Sequence, residues 1–508
     1  MGPRGSVPAA APVDHRLRAL RLISSGLVLA ALAFPACTSE SPEEVVRRYV
    51  TSWSRGDAAV RATVSGPDAE QLVERIGVVR SFVAGRPRLV DHRRDGNEVS
   101  ATVALPMKGG PELRLSIAVT VDGGRIRAEP TAFDRRLTSW REVRIESQSI
   151  PSGRLLDRFG APLDERQRAA LIDAVRPVFG ERLGGGTAYQ LWAGNEVLDA
   201  VEVVPAGDVT LAIDPAMESA ALGAIGDKHG RALVVIDAAT GEVVAFASDD
   251  ADGRPLAVTA IPVGSVFKVA TAAAALLEGR SPDDAVPCPA AAVIEERSVV
   301  NASQFDLGDL SLRRAFALSC NTSFAQLGVD LGGDAVVGAA RSLGFDTRFA
   351  GVEPAAIDAP DSGEEEAAFG FGAAGIEVSP VILASVTATI GAGGIARAPS
   401  WVPTVSPGER VIEEGVAASL IEMMHDAVEN GTAQRAAVEG VDVAAKTGTP
   451  RRIVDGVAVD DGLTVAVVRL DGRVFGVAAV VLEGDTGSKS AAPLIADFIR
   501  SISSKFPT

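Results

Sequence analysis

Apolar residues change their spacing several times along this chain, and each spacing predicts an element. In "SPEEVVRRYVTSWSRGD", Val45, Val46, Tyr49, Val50 and Trp53 recur at helical spacing and make one apolar face. Ser41 and Glu44 form a capping box, Pro42 occupies the first turn, and Gly56-Asp57 reads as the stop. In "ELRLSIAVTVDGGRIRAE" the period drops to two. Leu113, Leu115, Ile117, Val119 and Val121 then share one strand face, and Asp122-Gly123-Gly124 turns a hairpin. A helix followed by antiparallel strands predicts a small α+β unit over about 40–148.

From about 208 the pattern changes again. "DVTLAIDPAMESAALGAI" reads as a strand and then a helix, with Asp214 as N-cap and Pro215 at its first position. "ALVVIDAATGEVVAFAS" and "LTVAVVRLDGRVFGVAAVVLEG" read as hairpins turned at Thr240-Gly241 and Asp471-Gly472. A last helix runs from Ala491 to Ile502, with Leu494, Ile495, Phe498 and Ile499 on its apolar face. These elements enclose a helix-rich middle, 260–440, and the stretch 149–207 reads as a linker. Within the middle, "PVGSVFKVATAAAALLEG" (Pro262 to Gly279) is apolar on every face, the mark of a buried helix. Ser265 and Lys268 nevertheless stand at its front, three residues apart.

At 508 residues the chain is too long for one domain, and 47% hydrophobic residues suffice for sizeable cores. A net charge of −17 argues against a nucleic-acid partner, which needs a basic face. Lysine is rare: Lys108, Lys228, Lys268, Lys446, Lys489 and Lys505 are all there are, and every other cation is arginine. A lysine in such a chain offers what arginine lacks, a proton it can give up. Cys37, Cys288 and Cys320 make no CxxC and no disulfide framework, so no metal or cofactor is implied; Cys288 and Cys320 can pair if the fold brings them close, and two buried thiols is the preferred reading. Near the start, Arg16, Arg18 and Arg21 precede an apolar run from Leu22 to Pro35 that ends at Ala36-Cys37. That order is an export leader over 1–37, and a cysteine at its end resembles a bacterial lipoprotein signal, with Cys37 the lipidation candidate. Ordinary secretion and an uncleaved anchor remain open, and all three place the rest of the chain outside the cytoplasm.

Ser265 and Lys268 at i and i+3 neighbour each other on a helix. A serine hydroxyl attacks only after a base takes its proton, and a lysine in a dry apolar setting loses its charge readily. The pair therefore reads as nucleophile and base. The chain holds one SxxK, one Ser-x-Asn (Ser319-Cys320-Asn321) and one Lys-Thr-Gly (Lys446-Thr447-Gly448), in that order. Singletons in this order are the signature of penicillin-recognising serine enzymes.

The flanking text narrows the resemblance. "PVGSVFK", "AFALSCNTSF", "AFGFGAAGIEVSPVILASVTATIGAGG" and "VAAKTGTP" are similar to the corresponding stretches of class B penicillin-binding proteins, and "PSGRLLDRFGAPL" resembles the opening of their conserved region. The resemblance covers about 208–508. It implies an α+β fold in which a C-terminal, serine β-lactamase-like transpeptidase domain (208–508) carries an antiparallel sheet sandwiched by helices. The leader (1–37), a small domain of the nuclear-transport-factor-2 type (38–148) and a reduced linker (149–207) would precede it, in the manner of the family's lipoprotein or resistance-type subgroup.

The resemblance also implies roles. Ser265 would be the acyl-accepting nucleophile, Lys268 its base, and Ser319 the proton relay, with Lys446 adding positive potential. Asn321 would bind the substrate amide. Thr447, Gly448 and Thr449 would line the groove, the threonines holding the substrate carboxylate, and the backbone N–H groups of Ser265 and Thr449 would form the oxyanion hole. The partners implied are peptidoglycan stem peptides, β-lactam antibiotics and a glycosyltransferase, at the outer face of the cell membrane. The chain departs from the family where a Trp-Phe pair usually follows KTGT. Here it has Gly462-Leu463-Thr464, and Gly370-Phe371-Gly372 lacks the usual glutamine. A serine β-lactamase or sensor is the first alternative, opposed by the lack of a Glu-x-x-Leu-Asn element between Asn321 and Lys446. A non-catalytic wall scaffold is the second. A Ser-His-Asp hydrolase is disfavoured, because His15, His92, His229 and His425 accompany no G-x-S-x-G.

Overall fold

The computed structural model describes residues 40–164, 168–204, 206–251, 254–373 and 375–503. The leader and Cys37 lie outside them, and among the described residues no helix is long and apolar enough to cross a membrane. The chain divides into two compact units. Among the described residues, one holds those up to Leu105 together with Arg114–Arg141, and the other holds Pro106–Leu113 and those from Glu142.

In the first unit, Pro42–Ser52 is a helix with the expected capping box, Ser41 and Glu44 bonding reciprocally. Gly56-Asp57 proves to be a start rather than a stop. The first helix ends at Ser52, and Gly56, at φ 102°, precedes a second helix, Asp57–Thr63. A third helix, Ala69–Arg80, follows. The sheet runs in the order Val64–Ser65, Arg125–Arg127, Glu112–Asp122, Glu98–Pro106, Arg88–Asp95. The five alternating residues Leu113 to Val121 are all buried in it, as period two requires. Trp53 stacks on Phe133 at 6.3 Å, and the Tyr49 hydroxyl donates to the Ala132 carbonyl.

In the second unit, Val143–Ile150 pairs along its length with Gly186–Ala193, which pairs in turn with Glu196–Val201. Much of the expected linker is therefore a three-stranded sheet and a helix, Ala169–Leu183. Its signal was present in sequence: Gly194-Asn195 is a two-residue turn between apolar-alternating runs.

The central sheet orders Val243–Ser248, Arg231–Asp237, Arg473–Val481, Gly462–Leu470 and Asp442–Gly448, all antiparallel. Its turns fall at the expected residues, and both of its faces are dry. Val234, Ile236, Val465, Val467, Ala478 and Val480 pack into one core with the helices Lys268–Leu277, Pro380–Gly391 and Glu414–Glu429. Leu233, Val235, Ala466, Val468, Val477 and Ala479 pack into a second core with Pro215–Ile225 and Ala491–Ser503. Alternate residues of each strand thus feed opposite cores, which is why the strands read as unbroken apolar runs. Gly476 lets the helix Pro380–Gly391 settle on the sheet, since a Cβ there would stand 2.1 Å from the Ala384 carbonyl oxygen.

Candidate active site

Ser265 lies in a short 3-10 segment, Gly264–Phe267, and Lys268 opens the α-helix Lys268–Leu277. The pair therefore straddles a junction rather than sharing one α-helix as the sequence predicts. Gly264, at φ +50°, opens that segment, and a Cβ there would meet the Pro450 nitrogen at 2.9 Å. The backbone takes a left-handed step at glycine so that the end of the strand Asp442–Gly448 can pass beside the serine. From Lys268 to Leu276 every residue of the helix is buried, Lys268 with 0% exposure.

Three motif residues meet around the Lys268 amine. Its Nζ lies 3.1 Å from Ser265 Oγ, 3.1 Å from Ser319 Oγ, 2.9 Å from the Ser319 carbonyl oxygen and 2.7 Å from Asn321 Oδ1. The Asn321 amide is oriented by its other end, where Nδ2 donates to the Val300 carbonyl at 2.9 Å. Lys446, also fully buried, closes the set by donating to Ser319 Oγ at 3.0 Å and to the Thr447 carbonyl at 2.9 Å.

The electrostatics follow from that burial. Desolvation holds Lys268 well below the ordinary lysine range, and the neighbouring charge of Lys446 lowers it further. Desolvation alone pushes Lys446 down to about 7. No carboxylate takes part in the hydrogen bonds of either amine to offset this. A neutral Lys268 has two protons and one lone pair. The Ser319 carbonyl and Asn321 Oδ1 can only accept, so they take the two protons. The lone pair is left for a hydroxyl, and Ser265 supplies one. The cluster can therefore draw a proton from Ser265 without any histidine or carboxylate.

These groups open on a cleft of about 1310 Å³ lined by Ser265, Ser319, Asn321, Thr447 and Thr449. Thr447 Oγ1 shares a 2.6 Å hydrogen bond with Thr432 Oγ1, and Thr449 Oγ1 accepts from the Gly487 N–H at 3.4 Å. Gly448 ends the strand, paired with Leu463, and where the family has its Trp-Phe pair this chain presents a fully buried Leu463.

Sequence reasoning missed two parts of the site. Cys288 and Cys320 are joined in a disulfide, the pairing the sequence left open, against the preferred reading of two separate thiols. Ala285–Pro287 pairs with Asp309–Ser311, closing the excursion between the cysteines and bringing their Cα atoms to 6.2 Å. Asn301 was also passed over. It is 2% exposed, and its Oδ1 accepts the N–H of Asn321 (2.8 Å) and of Thr322 (3.2 Å), the first N–H groups of the helix Asn321–Leu331. Its Nδ2 donates to the carbonyl of Pro289 at 2.8 Å. The side-chain cap of that helix thus comes from twenty residues upstream, a distance at which capping has no sequence signature.

A family model described as "Penicillin binding protein transpeptidase domain" matches residues 231–500. Among curated proteins, the chain is 30% identical over 309 residues to the peptidoglycan D,D-transpeptidase PbpA of Mycobacterium tuberculosis, covering 49% of this chain and 62% of that protein. It is 28% identical over 256 residues to the peptidoglycan D,D-transpeptidase FtsI of Escherichia coli, covering 43% and 41%. The chain thus spans less than two thirds of these relatives' length. Among solved structures, penicillin-binding protein A of M. tuberculosis as its ceftriaxone acyl-enzyme superposes with a TM-score of 0.54 at 25% identity, over 69% of this chain and 90% of that one. The D,D-transpeptidase domain of a peptidoglycan glycosyltransferase from Eggerthella lenta superposes with a TM-score of 0.57 at 21% identity, over 70% and 99%, a likeness of fold.

Proposed function

Because the chain belongs to the class B penicillin-binding protein transpeptidases, we propose that it cross-links peptidoglycan stem peptides through an acyl-enzyme on Ser265, and that β-lactams acylate the same atom. The reading is carried by the buried Lys268 amine, 3.1 Å from Ser265 Oγ in a network shared with Ser319, Asn321 and Lys446.

Lys268 takes the Ser265 proton as Oγ attacks the carbonyl of a D-Ala–D-Ala bond. The tetrahedral oxyanion is held by the backbone N–H groups of Ser265 and Thr449, an arrangement worth several kcal/mol. When the C–N bond breaks, the departing amine takes a proton passed from Lys268 through Ser319 Oγ, which touches both lysines. An amine of a neighbouring strand then attacks the ester carbonyl and gives its proton through Ser319 Oγ to Lys268, which returns it to Ser265 Oγ as the acyl C–O bond breaks. Thr447 and Thr449, both on the cleft, receive the substrate carboxylate, and Asn321 the peptide amide. A glycosyltransferase partner would supply the strands. The disulfide beside the site supports an extracytoplasmic location, since such bonds persist in oxidising compartments.

Labelling with a fluorescent penicillin tests the reading, with wild type compared against Ser265→Ala and Lys268→Arg. The wild type labels and releases slowly, with the adduct on Ser265 by mass spectrometry. Ser265→Ala does not label. Lys268→Arg, whose side chain keeps its proton, slows about 10²–10⁴-fold, the range for loss of a general base. Equal labelling of all three refutes the mechanism, and rapid release by the wild type points instead to a β-lactamase.

A further inference from the structure

Neither buried lysine of the site has a carboxylate among its hydrogen-bond partners. Each stands over an aromatic ring instead. Lys268 Nζ lies 5.6 Å from the centre of the Phe324 ring, and Lys446 Nζ lies 5.5 Å from that of Phe316. Both phenylalanines are fully buried, and their rings lie 6.1 Å apart at 54°. Phe316 belongs to the helix Leu312–Ala317 and Phe324 to the helix Asn321–Leu331. The turn between these helices carries Ser319, whose N–H donates to the Phe316 carbonyl at 3.0 Å. The reaction described above uses neither ring.

We propose that Phe324 is a positioning residue of that reaction, its ring face stabilising the positive charge that Lys268 acquires from Ser265, and that Phe316 does the same for Lys446. The inference rests on the reading of Ser265 as nucleophile. As Oγ attacks, its proton moves to the lone pair of Lys268, and the electron pair of the O–H bond forms the new C–O bond. An ammonium then stands where an amine stood, fully buried and without an anion bonded to it. Such a charge is costly unless something compensates it. The face of an aromatic ring is negative and attracts a cation within about 6 Å, most strongly where water is excluded. Its hold on the ammonium exceeds its hold on the neutral amine, so it favours the state reached during attack over the resting one, and that difference lowers a barrier. A carboxylate in the same place would keep the lysine protonated at rest and remove the base. An aliphatic side chain would exclude water and offer no attraction.

Lys446 is the titratable group whose charge bears on Lys268. On the helices packed against Lys268–Leu277, the charged groups face solvent or partners of their own. Asp426 pairs with Arg314, His425 with Asp442, Glu366 accepts the Gly333 N–H, and the others are exposed.

Fluorine drains the ring face of negative charge while leaving its shape nearly unchanged. The full chain with mono-, di- or pentafluorinated phenylalanine in place of Phe324 is labelled with fluorescent penicillin across the pH range in which it stays folded. Acylation should slow step by step with fluorine content, by about ten-fold for the pentafluoro ring. Lys268 becomes a weaker base, so the lower limb of the pH profile should move to lower pH as the plateau falls. The same rings in place of Phe246, buried against Trp401, should change neither. Thermal unfolding confirms that each sample is folded, and the mono- and difluoro rings carry the test where the pentafluoro ring disturbs packing. Folded variants at position 324 that acylate as fast as wild type overturn the proposal. A slower rate with an unmoved pH profile also overturns it, because packing alone would then be at work. A wild type that takes no penicillin refutes the reading of Ser265 itself, and this inference with it.

Discussion

Lys446 should cost the protein stability at neutral pH, and the cost can be worked from its burial. The amine has an ordinary value of 10.5 and is pushed down to about 7 in the fold, by desolvation. Between those values the unfolded chain binds a proton that the folded chain does not. Stability therefore rises with pH through this window, by up to about 1.4 kcal/mol per pH unit, and levels off below it. At pH 7 the accumulated penalty is about 4 kcal/mol, and at pH 10 it is under about 1 kcal/mol. Lys446→Met removes it while keeping most of the side-chain volume. The same change strips Ser319 Oγ and the Thr447 carbonyl of a donor, at a cost of about 1–2 kcal/mol. The variant should then be more stable than wild type by about 2 kcal/mol at pH 7, with the two curves crossing near pH 9. Denaturant unfolding between pH 6 and 10 measures this, with the transition of the catalytic unit identified in wild type as the one that moves on penicillin acylation. Acylation of the variant should be lost at every pH. A variant less stable than wild type throughout pH 7–9, or a difference that does not change with pH, would refute the reasoning.

Two further outcomes follow from the residues around Ser319. Asn301→Ala leaves the Asn321 and Thr322 N–H groups without their acceptor. It should lower stability by about 2 kcal/mol and slow penicillin acylation at least ten-fold, while Asn301→Asp, which keeps the acceptor, should restore most of the acylation rate. Retention of the full rate by Asn301→Ala would show that the cap plays no part in placing Asn321. Cys288→Ser opens a crosslink between residues 32 apart, for which chain entropy gives about 4 kcal/mol. Reductant should lower the unfolding temperature of wild type but leave that of the variant unchanged, and acylation should slow in parallel.

Much of this molecule was legible because its signals are local. Thr240-Gly241 and Asp471-Gly472 each turn a hairpin where the apolar runs break, and Asp214 caps its helix through its own side chain. The order of Ser265, Lys268, Ser319, Asn321 and Lys446 along the chain identified the cluster that the fold assembles. What escaped depends on partners far along the chain. A helical spacing at 265 and 268 could not show that Gly264 lies against Pro450 or that the serine sits in a 3-10 turn. Gly56-Asp57 offers glycine and an acid, which serve a helix end and a helix start equally well, and the structure uses them for the start. The spacing of Cys288 and Cys320 carries no information about the pairing of Ala285–Pro287 with Asp309–Ser311 that brings them together.

Ser319 shows why those distant partners matter to the chemistry. Its backbone sits at φ +59°, a conformation a serine holds only when its surroundings impose it. That conformation aims both its carbonyl and its hydroxyl at Lys268. The next residue, Cys320, is fixed covalently to Cys288, and the one after, Asn321, has its N–H held by Asn301. The strained step is thus clamped on its C-terminal side by a bond that forms only under oxidising conditions. Until Cys288 and Cys320 are joined, Ser319 can relax toward an ordinary backbone, and Lys268 then loses the Ser319 carbonyl, one of the two acceptors that fix its lone pair on Ser265. Full acylation competence should accordingly require the disulfide as well as the two lysines.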